Sequence, residues 1–219
     1  MSTNVLTKGN SKLGPDIWTF SLSHASCIGK TKICDSICYV KDYIKRYASV
    51  SSAYLARGAL AETKYFTQVI IDQINRVKAK MVRVHVSGDF YSPGYTQKWI
   101  DIANACPQTT FQTFTRAWIV PKMVPKLTDL ASLSNVILAL SLDKDNVKRA
   151  IPRPLKGYRK AYLSLNDSDL PPKDAFIDFR HARDTIQYKL NGVRVCPHEY
   201  SNTKKHHNIK CSRCLKCYR

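Results

Sequence analysis

Seven of the eight cysteines fall into two spaced sets. One set is Cys211-x2-Cys214-x2-Cys217, with Cys196 upstream and followed by Pro197. The other is Cys27-x6-Cys34-x3-Cys38. Thiolates are soft ligands that suit iron–sulfur clusters and zinc alike. Three of them at steps of three can converge on one centre, and a fourth can close that centre from a distance. Cys34 and Cys38, four residues apart, can share one face of a helix. A set of three leaves one metal position open, and an open position is where substrate chemistry can occur. The partition into four and three therefore predicts two metal centres, one fully held by protein and one open.

The kind of metal follows from the spacing. A C-x2-C-x2-C run with a remote Cys-Pro is the pattern that holds [4Fe-4S] clusters in bacterial ferredoxins. Zinc more often takes its cysteines in two separated pairs. Zinc at the C-terminal set remains the alternative, with His198, His206 or His207 completing it. Lys204, Lys205, Lys210, Arg213 and Lys216 flank that set and would offset the negative charge of a thiolate-bound cluster. The trio has its own alternatives. Cys27 can serve as a small buried apolar residue, or the trio can share one centre with the C-terminal set. Cys106 stands apart, and free buried cysteine is common.

These cysteines need elements to position them. The chain has 219 residues, 44% of them hydrophobic, enough for a real core without disulfides. Residues 17–23 (IWTFSLS) read as a first strand running into the Cys27 loop. Residues 41–78 read as helix broken near residues 47–52, with Leu55, Ala59, Phe66 and Ile70 inward and Arg57 outward. Further strands are expected at 81–87, 111–116, 136–142, 158–165 and 175–179, with a weaker one at 193–196. Helices are expected at 95–104 and between Pro121 and Leu133. This alternation predicts an α/β fold, a partial or complete (β/α) barrel, over residues 1–188. Residues 189–219 form a basic, cysteine-rich extension.

In parallel α/β folds, chemistry gathers at the C-terminal ends of strands. The residues landing there are the Cys27 loop, Ser87-Gly88-Asp89 with Tyr91, Thr115-Arg116, and Ser141 with Asp143. Asp89, Arg116 and Asp143 are candidate catalytic groups. Ser87, Gly88, Asp89 and Tyr91 are candidate cofactor contacts. Asp89 also reads as a helix cap. His85 reads as a core residue, and Asp178, Arg180 and His181 as either a polar site or a surface ion-pair network.

Charge bounds the partner. There are 35 Lys and Arg against 16 Asp and Glu, a net charge of +19. Residues 189–219 hold eight of the basic residues and a single acid, Glu199. Such a field favours nucleic acid, nucleotides or phosphorylated substrates. The first residues lack the apolar core of a secretory signal, and the apolar stretch 136–142 is far short of the roughly 20 residues that span a bilayer. The expectation is a cytoplasmic protein that avoids membranes, where clustered cysteines mean metal or redox chemistry.

Two resemblances follow from these residues. The stretch Gly14-Pro15-Asp16-Ile17-Trp18-Thr19-Phe20-Ser21-Leu22, the Cys27/Cys34/Cys38-Tyr39 loop, Ser87-Gly88-Asp89-Phe90-Tyr91-Ser92 with Trp99, and the C-terminal cysteines resemble the gene product 88 family of phages and mobile elements. The order strand, three-cysteine loop, helix, strand, glycine–acidic turn is similar to radical S-adenosylmethionine enzymes. That second resemblance implies a [4Fe-4S] cluster on Cys27, Cys34 and Cys38. It also implies a cofactor contact at Gly88 and Asp89, and an auxiliary cluster on Cys196, Cys211, Cys214 and Cys217. The usual spacing there is C-x3-C-x2-C and the usual turn Gly-Gly-Glu, whereas this chain has C-x6-C-x3-C and Ser-Gly-Asp. The expectation is an iron–sulfur enzyme acting on nucleic acid or a nucleotide, fed by an electron donor such as ferredoxin or flavodoxin. The alternative is a non-enzymatic iron–sulfur or zinc protein that binds nucleic acid.

Overall fold

In the computed structural model, which describes residues 5–166, 168–181, 189–198 and 209–218, the alternating apolar runs become one seven-stranded sheet. Its strands are β1 (Thr7–Lys8), β2 (Ile17–Phe20), β3 (Met81–Val84), β4 (Thr110–Thr115), β5 (Val136–Leu142), β6 (Arg159–Ser164) and β7 (Ile177–Arg180). They lie in sequence order, and every pair from β2 to β7 is parallel. Only β1 is antiparallel, and it adds an edge that the sequence reading missed because it is two residues long. The sheet runs from edge β1 to edge β7 and is not closed into a barrel. The complete-barrel alternative is thereby corrected to an open, mostly parallel sheet.

Six helices link the first five strands: α1 (Lys32–Ser36), α2 (Tyr39–Arg46), α3 (Ala48–Glu62), α4 (Phe66–Val77), α5 (Pro93–Ala105) and α6 (Val124–Ala131). The main core lies between this helical layer and one sheet face. Phe20, Val82, Val84, Phe111, Leu138 and Leu140 meet Phe66, Ile70, Trp99 and Leu127 there. Alternation along the strands sends Ile17, Met81, Phe114, Ile137 and Ala161 to the opposite face.

That opposite face carries the chain's end. Helix α7 (Cys211–Cys214), preceded by a hairpin of β8 (Lys189–Leu190) and β9 (Val193–Arg194), packs with Leu215, Cys217 and Tyr218 against Leu13, Ile17 and Met81. The strand expected at 193–196 is thus a hairpin arm, joined to β7 by a single parallel bridge between Val195 and Asp178.

Two local expectations are corrected. Leu55, 70% exposed, and Ala59 face solvent, and Arg57 is turned inward, its Nε donating to the Val5 carbonyl at 2.9 Å. Helix α3 (ASVSSAYLARGALAE) has small residues all round, so its sequence marks no strong buried face. Of the expected polar group, Asp178 and Arg180 lie within β7 and are not on the surface, whereas His181 is exposed: Arg180 Nε donates to Asp178 Oδ2 at 2.9 Å with both side chains fully buried, and Ser164 donates to Asp178 Oδ1 at 2.6 Å. No helix among the described residues is long and apolar enough to cross a membrane.

Candidate functional site

The loop after β2 folds onto the loop after β3. Leu22 donates its N–H to the Ser87 carbonyl at 2.9 Å, and the Ser87 hydroxyl donates to the Leu22 carbonyl at 2.8 Å. Gly88 sits at φ +83°, and a Cβ there would lie 2.6 Å from Ser26 Oγ and 2.7 Å from Leu22 Cβ. The glycine thus permits close approach of the cysteine loop itself. Next to it, the Asp89 N–H donates to Ser26 Oγ at 3.2 Å. The strand β3 stops early, at Val84, because His85 takes φ +63°. His85 is buried, with Nε2 2.8 Å from the Tyr95 hydroxyl, as expected of a core residue.

Asp89 is 4% exposed and is saturated by its own chain. Oδ1 accepts from the Thr115 hydroxyl at 2.7 Å and the Phe90 N–H at 2.8 Å. Oδ2 accepts from the N–H groups of Arg116 at 2.8 Å and Ala117 at 3.2 Å. It therefore caps the turn after β4, while Ser92 caps α5. Burial pushes the Asp89 carboxyl up, and the Thr115, Arg116 and Phe90 hydrogen bonds oppose that rise.

The end of β5 completes the arrangement. Asp143 is fully buried and takes the Arg116 guanidinium at 3.2 Å and the Thr31 hydroxyl at 2.6 Å on Oδ2. Thr31 Oγ1 in turn caps α1 by accepting the Cys34 N–H at 3.0 Å. Asp145 accepts the Ile33 N–H at 2.9 Å, and Asn146 holds the Asp143 N–H at 2.8 Å. Gly29 presses on β4's exit: a Cβ there would stand 2.1 Å from the Arg116 carbonyl oxygen. The cysteine loop is thus clamped by the ends of β3, β4 and β5.

Cys27, Cys34 and Cys38 are neighbours in this clamp and are all partly buried. Burial, then the negative charges of Asp89 and the other two cysteines, pushes the Cys27 thiol well up; Arg116 opposes them. Cys34 is raised mainly by burial, with Arg116 again opposing. The structure brings Ser87, Gly88, Asp89, Arg116 and Asp143 together around the trio. Tyr91 lies apart, stacked on Tyr95 at 4.4 Å with its hydroxyl against Glu62. Thr31, Ser26, Asp145 and Asn146 were missed; only Asp143-x-Asp145-Asn146 after a strand, a turn-prone run, hinted at them.

The second set lies on the opposite sheet face, from the residues ahead of β2 across to β7. Cys211 and Ser212 donate their N–H groups to the carbonyls of Lys12 and Leu13 at 2.8 and 3.0 Å. Gly14, φ +88°, leaves room for the Ser212 side chain. Cys217 packs in the same apolar cluster as buried Cys196, whose N–H donates to the Asp178 carbonyl at 2.8 Å. Cys217 is pushed up to about 11, first by burial and then by Cys211 and Cys214, with Arg83 and Arg159 opposing. Those two arginines come from β3 and β6. They lie over Phe114 and Phe176 at 4.2 and 3.8 Å, and their role beside Cys217 could not be read from the local run of lysines. Lys204, Lys205, His206 and His207 lie outside the described residues. Cys106 is buried beneath α5, away from both sets.

Among the described residues no group of three or more His, Cys, Asp or Glu is drawn in tightly enough to hold one metal ion. The donor types nonetheless suit thiolate-ligated iron–sulfur clusters: Cys27, Cys34 and Cys38 feel one another's charge, as do Cys211, Cys214 and Cys217, Cys196 packs in the cluster of Cys217, and arginine stands by each set. A cuboidal cluster takes its thiolates on separate irons and so spreads them more widely than a single ion does.

An open, mostly parallel sheet in sequence order, with a cysteine loop clamped at the C-terminal ends of its strands, defines an α/β protein with its candidate site at those strand ends. The chain belongs to the Gene product 88 family, whose profile matches residues 4–219. It is similar to the Gene 88 protein of Mycobacterium phage L5, 28% identical over 149 residues, which is 63% of this chain and 61% of that protein. It is likewise 28% identical to the Gene 88 protein of Mycobacterium phage D29 over 149 residues, 63% of this chain and 60% of that one. The aligned stretch thus spans about three-fifths of the relatives it matches. No solved structure matches the chain significantly.

Proposed function

We propose that this protein carries two [4Fe-4S] clusters and works as a radical-type enzyme, of the kind that uses S-adenosylmethionine, on nucleic acid or a nucleotide. One observation carries the reading. Six parallel strands lie in sequence order, and the three-cysteine loop leaves the first of them to meet Asp89, Arg116 and Asp143 from the next three strand ends. Cys27, Cys34 and Cys38 would hold the open cluster, and Cys196, Cys211, Cys214 and Cys217 the closed one. A cluster with an open iron supplies single electrons to a bound cofactor. The chain's own part is positioning. Thr31 and Asp145 fix α1, Asp89 and Asp143 fix Arg116, and the partial burial of the thiols limits water. Arg83 and Arg159 place positive charge beside the second set, which favours its reduced, more negative state.

The test is the iron, sulfide and zinc content of anaerobically purified protein, with electron paramagnetic resonance of the reduced form. About eight irons per chain, with a signal altered by S-adenosylmethionine, is expected. Iron with no response to the cofactor would remove the enzyme.

One observation favours the second reading, a non-enzymatic iron–sulfur or zinc protein that binds nucleic acid. Asp89 and Asp143 spend their carboxylates on partners within the chain, as scaffold residues do. Zinc without iron, together with nucleic-acid binding that falls steeply with salt, would establish it.

A further inference from the structure

Helix α2 leaves the cysteine loop directly: Cys38 is its N-cap and Tyr39 its first residue. Tyr39 and Tyr43, four residues apart, share one face of α2, and Tyr47, the extended residue that ends α2, continues the row through its ring contact with Tyr43. They are 53%, 52% and 46% exposed, three of the seven large apolar side chains left in solvent among the described residues. Their rings touch in series, with centroids 5.8 Å apart at both steps. The Tyr39 hydroxyl is anchored, donating to the Val86 carbonyl at 3.0 Å. Val86 also lines an open cleft of about 290 Å³ between β1–β2 and α3, with Lys8, Tyr54 and Arg57 on its walls.

The charge around the ladder is positive. Lys45 and Arg46 are exposed on α2 itself, while Arg83 and Lys12, stacked on Phe114 and Phe179, act on Tyr39 only from the sheet side. The acids on this stretch are Asp42, on α2, and Asp35, which is occupied by Lys30 and Lys41. The first pair of rings meets edge-on at 86° and the second tilted at 50°, so the faces they offer differ in orientation; exposed aromatic rings beside cations are what single strands require. Bases stack on the rings, and the backbone follows the positive charge. A duplex hides its base faces and cannot use such a ladder.

We infer that the Tyr39–Tyr43–Tyr47 ladder is a stacking track for single-stranded nucleic acid, leading the strand to the three-cysteine loop. This rests on the nucleic-acid half of the function proposed above and names the form of the substrate.

The experiment is fluorescence anisotropy of the anaerobically purified protein with a labelled oligo-dT of about 20 nucleotides and a duplex of equal length, at low and higher salt. The single strand binds more tightly than the duplex. Tyr43→Ala and Tyr47→Ala each weaken single-strand binding about tenfold, while Tyr43→Phe and Tyr47→Phe retain it. Tyr65→Ala removes an exposed tyrosine off the ladder and leaves binding unchanged. Binding that is intact in both alanine variants overturns the track and leaves the nucleic-acid reading standing. No binding by the unaltered protein at low salt overturns both. If sedimentation instead shows a dimer that Tyr43→Ala dissolves, the ladder is covered by a second copy and the track is rejected.

Discussion

The Thr31 hydroxyl donates to Asp143 Oδ2 at 2.6 Å across 112 residues of sequence. That bond ties the cap of the helix carrying Cys34 to the end of β5. Asp143→Ala removes it together with the Arg116 ion pair, in which the acid is fully buried. Loss of one partner of a buried pair costs about 3 kcal/mol or more. Urea denaturation will show that loss, and the purified variant will carry less metal on the Cys27 set. Thr31→Val removes only the cap and this bond, and lowers stability by about 1–2 kcal/mol. An Asp143→Ala midpoint equal to the unaltered protein's would deny the clamp any structural weight.

Gly29 and Gly88 hold the cysteine loop against β4 and β3. Gly29→Ala places a methyl 2.1 Å from the Arg116 carbonyl oxygen, which is backbone and cannot rotate away. Gly88→Ala meets Ser26 and Leu22 and is strained at φ +83° as well. Each should cost more than 1 kcal/mol and push the loop off the strand ends. Gly58→Ala, with nothing near the added methyl, is the control and should be neutral or stabilising. Thermal melts of the three variants decide the matter.

Stability should depend on pH through His85. Burial, helped by Arg83, lowers it from 6.5 to about 3. The unfolded chain therefore binds the proton first, and between pH 6.5 and 3 it holds more protons than the folded one. The contribution of neutral His85 is complete above pH 6.5 and is lost as pH falls through that window, at up to about 1.4 kcal/mol per unit. His85→Asn, a residue that tolerates positive φ, should flatten the slope. Denaturant midpoints at pH 7 and pH 5 compare the two; equal slopes would exclude His85 as the source.

The two cysteine sets should lose metal independently. The trio lies at the C-terminal ends of the strands, whereas the second set spreads across the opposite sheet face, from Lys12 ahead of β2 to Asp178 in β7. Cys34→Ala should leave about four of about eight irons, and Cys214→Ala the other four. Loss of all iron from either variant would mean that the sets share one centre.

Most strand positions were legible because each apolar run is bounded by a helix or turn signal. The break in residues 41–78 was legible from its serines, although it falls at Tyr47, and a second break at Thr63 carried no such mark. The burial of α3 was not legible, since alanine and serine do not declare a face. Closure was not legible either: it depends on strand tilt and shear, which no residue encodes singly. At the site, residue types at strand ends pointed to Asp89, Arg116 and Asp143. Their actual partners, Thr31 and one another, are contacts across long stretches of chain that spacing cannot reveal. That Tyr91 would lie apart from them was not legible, because the turn after β3 continues past Asp89 and sends the ring toward α5.

The open sheet has two flanks where a foreign backbone could zip on. On one, β1 offers only two residues, and the Lys8 ammonium hangs over Trp18 at 5.9 Å. On the other, Val195 meets β7 in a single bridge. A short charged border and an interrupted one are poor templates for fibril growth. The protein can therefore keep its strands unrolled, with one face given over to its own C-terminal cysteines, and still resist polymerising at high concentration.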